Sequence, residues 1–230
     1  GTGANGFPNF KKQTKRCRPY SDMKALNEAW QLLLKQKSVT VDAAKLDLIW
    51  TGRELLGNLF GYEKAEFDSA YVAADTVKMH EKAYIMRSLL TDLDMLNAQH
   101  PFCTVDKWID QAREFGQTPE VKDYYEMNAR RLITTWGGDL NDYAVRNYSG
   151  LIANYHAKRW EIYIDEAFRS VRTGTPFRDK ERIKATNEFQ LSFADKHGEQ
   201  FPKYQGIELL SFSRALASKY ATELQSWLTK

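Results

Sequence analysis

The sequence predicts an all-α fold, an irregular bundle of about eight helices in a single domain. All six prolines (Pro8, Pro19, Pro101, Pro119, Pro176 and Pro202) fall between segments with apolar residues at helical spacing. A proline inside a helix costs about 3 kcal/mol, so a chain that keeps it at boundaries reads as helices joined by short loops. Runs of alternating Val, Ile and Thr with Asn-Gly or Asp-Gly turns, the signature of hairpins, are essentially missing.

The elements follow in order. Residues 21–37 open on a Ser-Asp cap and carry Leu26, Ala29, Trp30 and Leu33 on one face. Residues 42–60 repeat the pattern with Leu46, Ile49, Trp50 and Leu56. A long helix over 66–98 is marked by Ile85, Leu89, Leu93 and Leu96. Thr104 caps a helix over 105–115, which Gly116 stops. The next, 119–135, begins on Pro119 with Glu120 and Asp123 near its positive end. Helices over roughly 141–173, 179–197 and 205–229 complete the count. Residues 1–20 read as a linker, and 21–230 as the helical domain. No repeat of 20–50 residues points to a solenoid.

Composition excludes several functions. The chain of 230 residues is 43% hydrophobic and 27% charged, with a net charge of +3, too balanced for a dedicated nucleic-acid binder. Lys11, Lys12, Lys15, Arg16 and Arg18 form a short basic run that reads as solvated linker. No apolar run of about 18 residues predicts a membrane span. No signal peptide is legible, and Gly1 in place of Met fits a fragment, so the compartment stays open. Cys17 and Cys103 make neither a disulfide framework nor a metal pattern. His80, His100, His156 and His197 lack the Glu-x-x-His or His-Glu-x-x-His context of metal-binding bundles, and no cofactor motif appears. The "NYSGL" stretch is no nucleophile elbow, and its Asn147-Tyr148-Ser149 sequon lies in a predicted helix.

One region departs from a plain bundle. Gly137-Gly138 break the fifth helix and leave Trp136 at its exposed end. Asp139 or Asn141 is then expected to cap a helix starting at Asp142, with Ala144, Tyr148, Leu151, Tyr155 and Ile162 as its apolar stripe. Gly150 within it suggests a close backbone approach. Asp142, Arg146, Asn147, Asn154 and Arg159 lie beside the stripe as polar groups that need partners. An aromatic at a break, followed by Leu140, Asp142 and Tyr143, is how a helical domain presents a pocket wall.

The stretches "YYEMNARRLITTWG" and "LNDYAVRNYSGLIANYHAKRW" resemble the C-terminal all-α domain of the α-N-acetylglucosaminidases, the family 89 glycoside hydrolases. "SDMKALNEAWQLLL", "YEKAEFDSAY", "KWIDQARE" and "GTPFRDKE…NEFQLSFA" fall in register with the same family. Two departures stand out: Trp136-Gly137-Gly138 where the family has Trp-Gly-Pro, and Tyr155-His156-Ala157-Lys158-Arg159-Trp160 where it has "YY-PRW".

The resemblance implies a non-catalytic domain of a retaining exo-glycosidase whose two catalytic glutamates sit on a separate (β/α)8 barrel. That barrel is the implied partner, and terminal α-linked N-acetylglucosamine the implied ligand. Trp136, Leu140 and Tyr143 would line the sugar pocket. Asp142, Arg146, Tyr155, Arg159 and Trp160 would serve structure or interface. The chain alone should be inactive. Its parent is expected in the periplasm or outside a bacterial cell, or in the lysosome of a eukaryote. A freestanding helical module that binds glycan or protein without catalysis is the alternative.

Overall fold

A computed structural model describes residues 3–6, 8, 22–136, 146–199 and 201–229. The described residues form nine α-helices and no strand, one compact all-α domain.

The scaffold is a pair of long antiparallel helices. Helix α1 (Met23–Leu34) starts where the Asp22 carboxylate accepts the amides of Lys24 and Ala25. It crosses α2 (Asp42–Val72) at Gly52, where a Cβ would sit 2.9 Å from Trp30 Nε1. Trp30 is fully buried as a result. The chain reverses through Ala74, which takes a left-handed φ of +53°, and Asp75 caps α3 (Thr76–Asn97) by accepting the Lys78 amide. Helix α6 (Ala157–Thr173) lies on this pair. Trp160 packs on Phe60 at 4.9 Å, and the buried Tyr163 hydroxyl donates to Asp68 at 2.6 Å. Helices α8 (Leu209–Lys219) and α9 (Ala221–Leu228) close the main core.

A second, smaller core lies beneath α4 (Val105–Arg113), α5 (Pro119–Leu132) and α7 (Asp179–Asp195). Val105, Ile109, Ile133, Leu151, Tyr155, Phe193 and Phe201 fill it. Thr104 caps α4 and Pro119 sits in the first turn of α5, as the sequence predicts, and Thr118 caps α5.

Four boundaries differ from the sequence expectation. Helix α2 continues through Gly61 to Val72 instead of ending at Phe60, and the turn lies at 73–75, inside the stretch read as one helix over 66–98. Gly61 is a contact point and not a stop: a Cβ on Gly3 would lie 2.4 Å from its Cα. Gly3–Asn5, within the segment read as linker, form a 3-10 turn on α2, and Ala4 O accepts the Trp160 indole N–H at 2.9 Å.

Within the expected helix over 141–173, residues 146–150 are not helical, and a π turn at Ile152–His156 leads into α6. Tyr148 lies ahead of the helix but still packs on the core of Leu151 and Tyr155, and Ser149 pairs with Thr104 in an isolated parallel bridge. Ile162 is only half-buried, because Tyr163 and Ile164 face the core instead. The last expected helix splits at Tyr220, and α8 begins only where Glu208 accepts the amides of Leu210 and Ser211. The caps proposed at Asp139 or Asn141, the break at Gly137-Gly138, the basic run at 11–18 and Cys17 lie outside the described residues. Cys103 is a buried free thiol.

Candidate functional site

Trp136 ends the last turn after α5 in a left-handed conformation, φ +49°, unusual for a bulky residue and costing about 1–2 kcal/mol. Its amide donates to Arg131 O at 2.6 Å, closing the chain back on the helix, and its side chain is 41% exposed. Ile133, Thr134 and Thr135 just before it are buried, and Thr134 Oγ1 donates to Arg130 O at 2.6 Å. The backbone entering Trp136 is thus clamped while the indole faces outward.

The clamp rests on a buried ionic cluster. Arg130 is fully buried and donates twice to Glu126 Oε1, at 3.0 and 2.8 Å, and once to Glu199 Oε2 at 3.0 Å. Its guanidinium lies 5.0 Å from the Phe193 ring and 5.2 Å from that of Phe201. Glu126 also receives Arg113 at 2.6 Å, and Arg131 pairs with Asp195 at 2.6 Å. These contacts tie the end of α5 to the end of α7.

The chain is described again from Arg146, which is exposed. Its carbonyl accepts the His156 Nε2–H at 2.9 Å, and Arg159 Nη1 lies 3.3 Å from His156 Nδ1. Burial above all, helped by the Arg159 charge, pushes the His156 pKa down to about 3, so the ring is neutral. Two steps upstream of the π turn, Gly150 adopts φ +83°, and a Cβ there would lie 2.7 Å from Val105 Cγ1. Asp94 on α3 accepts the amides of Gly150 at 2.7 Å and Ala153 at 3.0 Å, and the Tyr204 hydroxyl at 2.9 Å. Burial raises its pKa against the pull of these donors. Nothing in the sequence reading pointed to Asp94. The available signal was a carboxylate inside the apolar run between Leu93 and Leu96.

The described residues among those singled out from sequence fall in different surroundings. Trp136 and Arg146 flank the 137–145 segment, while Leu140, Asp142 and Tyr143 lie within it, outside the described residues. Tyr155 and Arg159 are fully buried, the guanidinium 4.9 Å from the ring, and Tyr155 packs 5.0 Å from Phe193. Trp160 belongs to the main core. Among the described residues no group of three His, Cys, Asp or Glu is placed to hold a metal, and no helix is long and apolar enough to cross a membrane. An exposed indole suits contact with a ring-shaped ligand and not proton transfer.

A sequence profile described as the alpha-N-acetylglucosaminidase (NAGLU) C-terminal domain matches residues 4–219. The chain belongs to this family. Human alpha-N-acetylglucosaminidase is 30% identical over 199 residues, which are 84% of this chain and 26% of the human protein. Two solved structures of a family 89 glycoside hydrolase from Clostridium perfringens share the fold at 22% identity and TM-score 0.78. One is in complex with 2-acetamido-1,2-dideoxynojirmycin, the other with its substrate GlcNAc-alpha-1,4-galactose. They cover 95% and 94% of this chain, and each match spans 26% of the clostridial chain. The NAGLU C-terminal domain thus accounts for about a quarter of the proteins it resembles. The family profile starts at residue 4, and Gly3–Asn5 pack on α2.

Proposed function

We propose that this domain serves a larger secreted exo-α-N-acetylglucosaminidase, packing on a catalytic barrel and completing one wall of the pocket for terminal α-linked N-acetylglucosamine. Trp136 supplies an apolar face to the sugar ring, Leu140 extends that face, and Tyr143 donates a hydrogen bond to a sugar hydroxyl. Acid, base and nucleophile come from the barrel, so the domain shapes binding and leaves bond cleavage to its partner. The parent acts in the periplasm or outside the cell.

The observation that carries this reading is Trp136. It stands at the end of the family-like stretch "YYEMNARRLITTWG", in a left-handed conformation clamped from below, with its side chain outward. A strained backbone held in place at an exposed aromatic is what a pre-shaped binding wall requires.

The test begins with the size of the native protein in source cells, by immunoblot against this chain. A band several times larger than 26.6 kDa is expected. That polypeptide should release terminal N-acetylglucosamine, and Trp136→Ala should lower kcat/KM about 10- to 100-fold, the worth of one buried aromatic face. A sole band near 26.6 kDa, or kinetics untouched by Trp136→Ala, sinks the reading. The first of those outcomes would leave a freestanding glycan- or protein-binding module.

A further inference from the structure

An apolar and aromatic strip runs along the outside of α4 and α5. Val121, Tyr125 and Leu132 are exposed at steps of four and seven residues, which places them on one side of α5. Phe115, just past the end of α4, is 74% exposed, and its ring lies 6.2 Å from that of Tyr125. Tyr124, 58% exposed, meets Tyr125 edge-on at 6.0 Å. Single exposed apolar side chains need no explanation, but two exposed aromatics that both meet a third on one side of a helix form a patch of the kind that marks interaction sites. At the 150–250 Å² a large aromatic carries, it presents on the order of 500 Å², more than half of one partner's share of a stable interface.

We infer that this α4–α5 strip is the surface on which the rest of the parent polypeptide docks, an inference that rests on the pocket reading above. The occupant follows from two facts. The family is a C-terminal domain that spans 26% of its human relative, so such a polypeptide carries a large body outside this fold. Leu132, the last member of the strip, also lies four residues before Trp136 in the chain, so a body docked along this side of α5 extends toward the indole. The covering surface is apolar, because the strip offers ring faces and edges and few groups to pair with charge. Val77 and Tyr84 on α3, also strongly exposed, lack such a cluster, and they stay in water.

Hydroxyl-radical footprinting of the full-length polypeptide tests this, with Tyr84 as the reference inside the same molecule. Phe115, Tyr124 and Tyr125 should be modified about tenfold more slowly than Tyr84, as expected for the core of an interface. Modification as fast as at Tyr84 overturns the inference, and so does protection that grows with protein concentration, which would mean a second copy. The two readings fail separately. Free labelling together with a Trp136→Ala defect removes the docking surface and keeps the pocket wall. Protection without a Trp136→Ala defect keeps the docking surface and removes the pocket wall.

Discussion

Asp94, buried in the last turn of α3, accepts the Gly150 amide at 2.7 Å across 56 residues of sequence. With Ala153, Ser149 and Tyr204 as further donors, this one carboxylate fixes where the chain turns into the π turn and α6. Asp94→Ala leaves those buried donors without an acceptor, at about 3 kcal/mol or more. In a domain of this size that lowers Tm by roughly 6–12 °C. Calorimetry checks it, and a Tm within 2 °C of the parent chain would show that Asp94 is dispensable.

Gly150 carries two separate demands, and Gly174 carries one. Both have positive φ, at +83° and +62°, but a Cβ at Gly150 meets Val105 and Phe201 whereas at Gly174 it meets open space. Gly174→Ala should cost about 1 kcal/mol, for conformation alone. Gly150→Ala should cost about 3 kcal/mol, because overpacking adds to the strain. Equal effects in urea unfolding would mean that the contact with Val105 relaxes freely.

His156 sets a pH dependence. Its ring is buried neutral, with the pKa pushed from 6.5 to about 3, so the unfolded chain binds an extra proton between those values. Stability from this group is therefore complete above pH 6.5 and falls as the pH drops toward 3. Tm measured from pH 7.5 to 4.5 should decline in the native chain. His156→Phe should start lower at pH 7.5 and decline less steeply. Parallel curves would show that another group governs the acid limb.

Arg130 and Glu126 should behave as a coupled pair. Arg130→Met strands a carboxylate that is 2% exposed and should cost about 3–5 kcal/mol, even with Arg113 still in place. The double variant Arg130→Met with Glu126→Leu removes both charges, and it should be more stable than Arg130→Met alone. Simple additivity in a double-mutant cycle would contradict that coupling.

Glu166 offers the opposite kind of carboxylate to Asp94. Burial opposes its ionisation, but Arg169 and Arg178 hold its pKa at about 2, below the ordinary 4.5. Its contribution is present above pH 4.5 and lost as the pH falls toward 2. Glu166→Gln should flatten the stability profile in that window and leave the slope between pH 5 and 6.5 unchanged. A change confined to the higher window would point to a different group.

The sequence by itself determined the all-α class, the caps at Asp22 and Thr104, and the family motif around Trp136. Each of these is local: apolar period, cap chemistry and motif are all read within a turn or two of chain. What only the tertiary structure decided depends on what packs against a residue. The helix read as ending at Phe60 runs on through Gly61, where Gly3 packs closely on it. Residues 146–149 read as helix but are not helical, because Ser149 pairs with Thr104 and Cys103 and because Asp94 captures Gly150. The site was legible only in part for the same reason. Trp136 was marked by type and position, whereas Asp94 became visible only once α3 met residues 149–153 and Tyr204, and the burial of Arg130 only once α5 met Phe193 and Glu199. A buried charge is recognised by what surrounds it, and neighbours 55 or more residues away leave no period in the sequence.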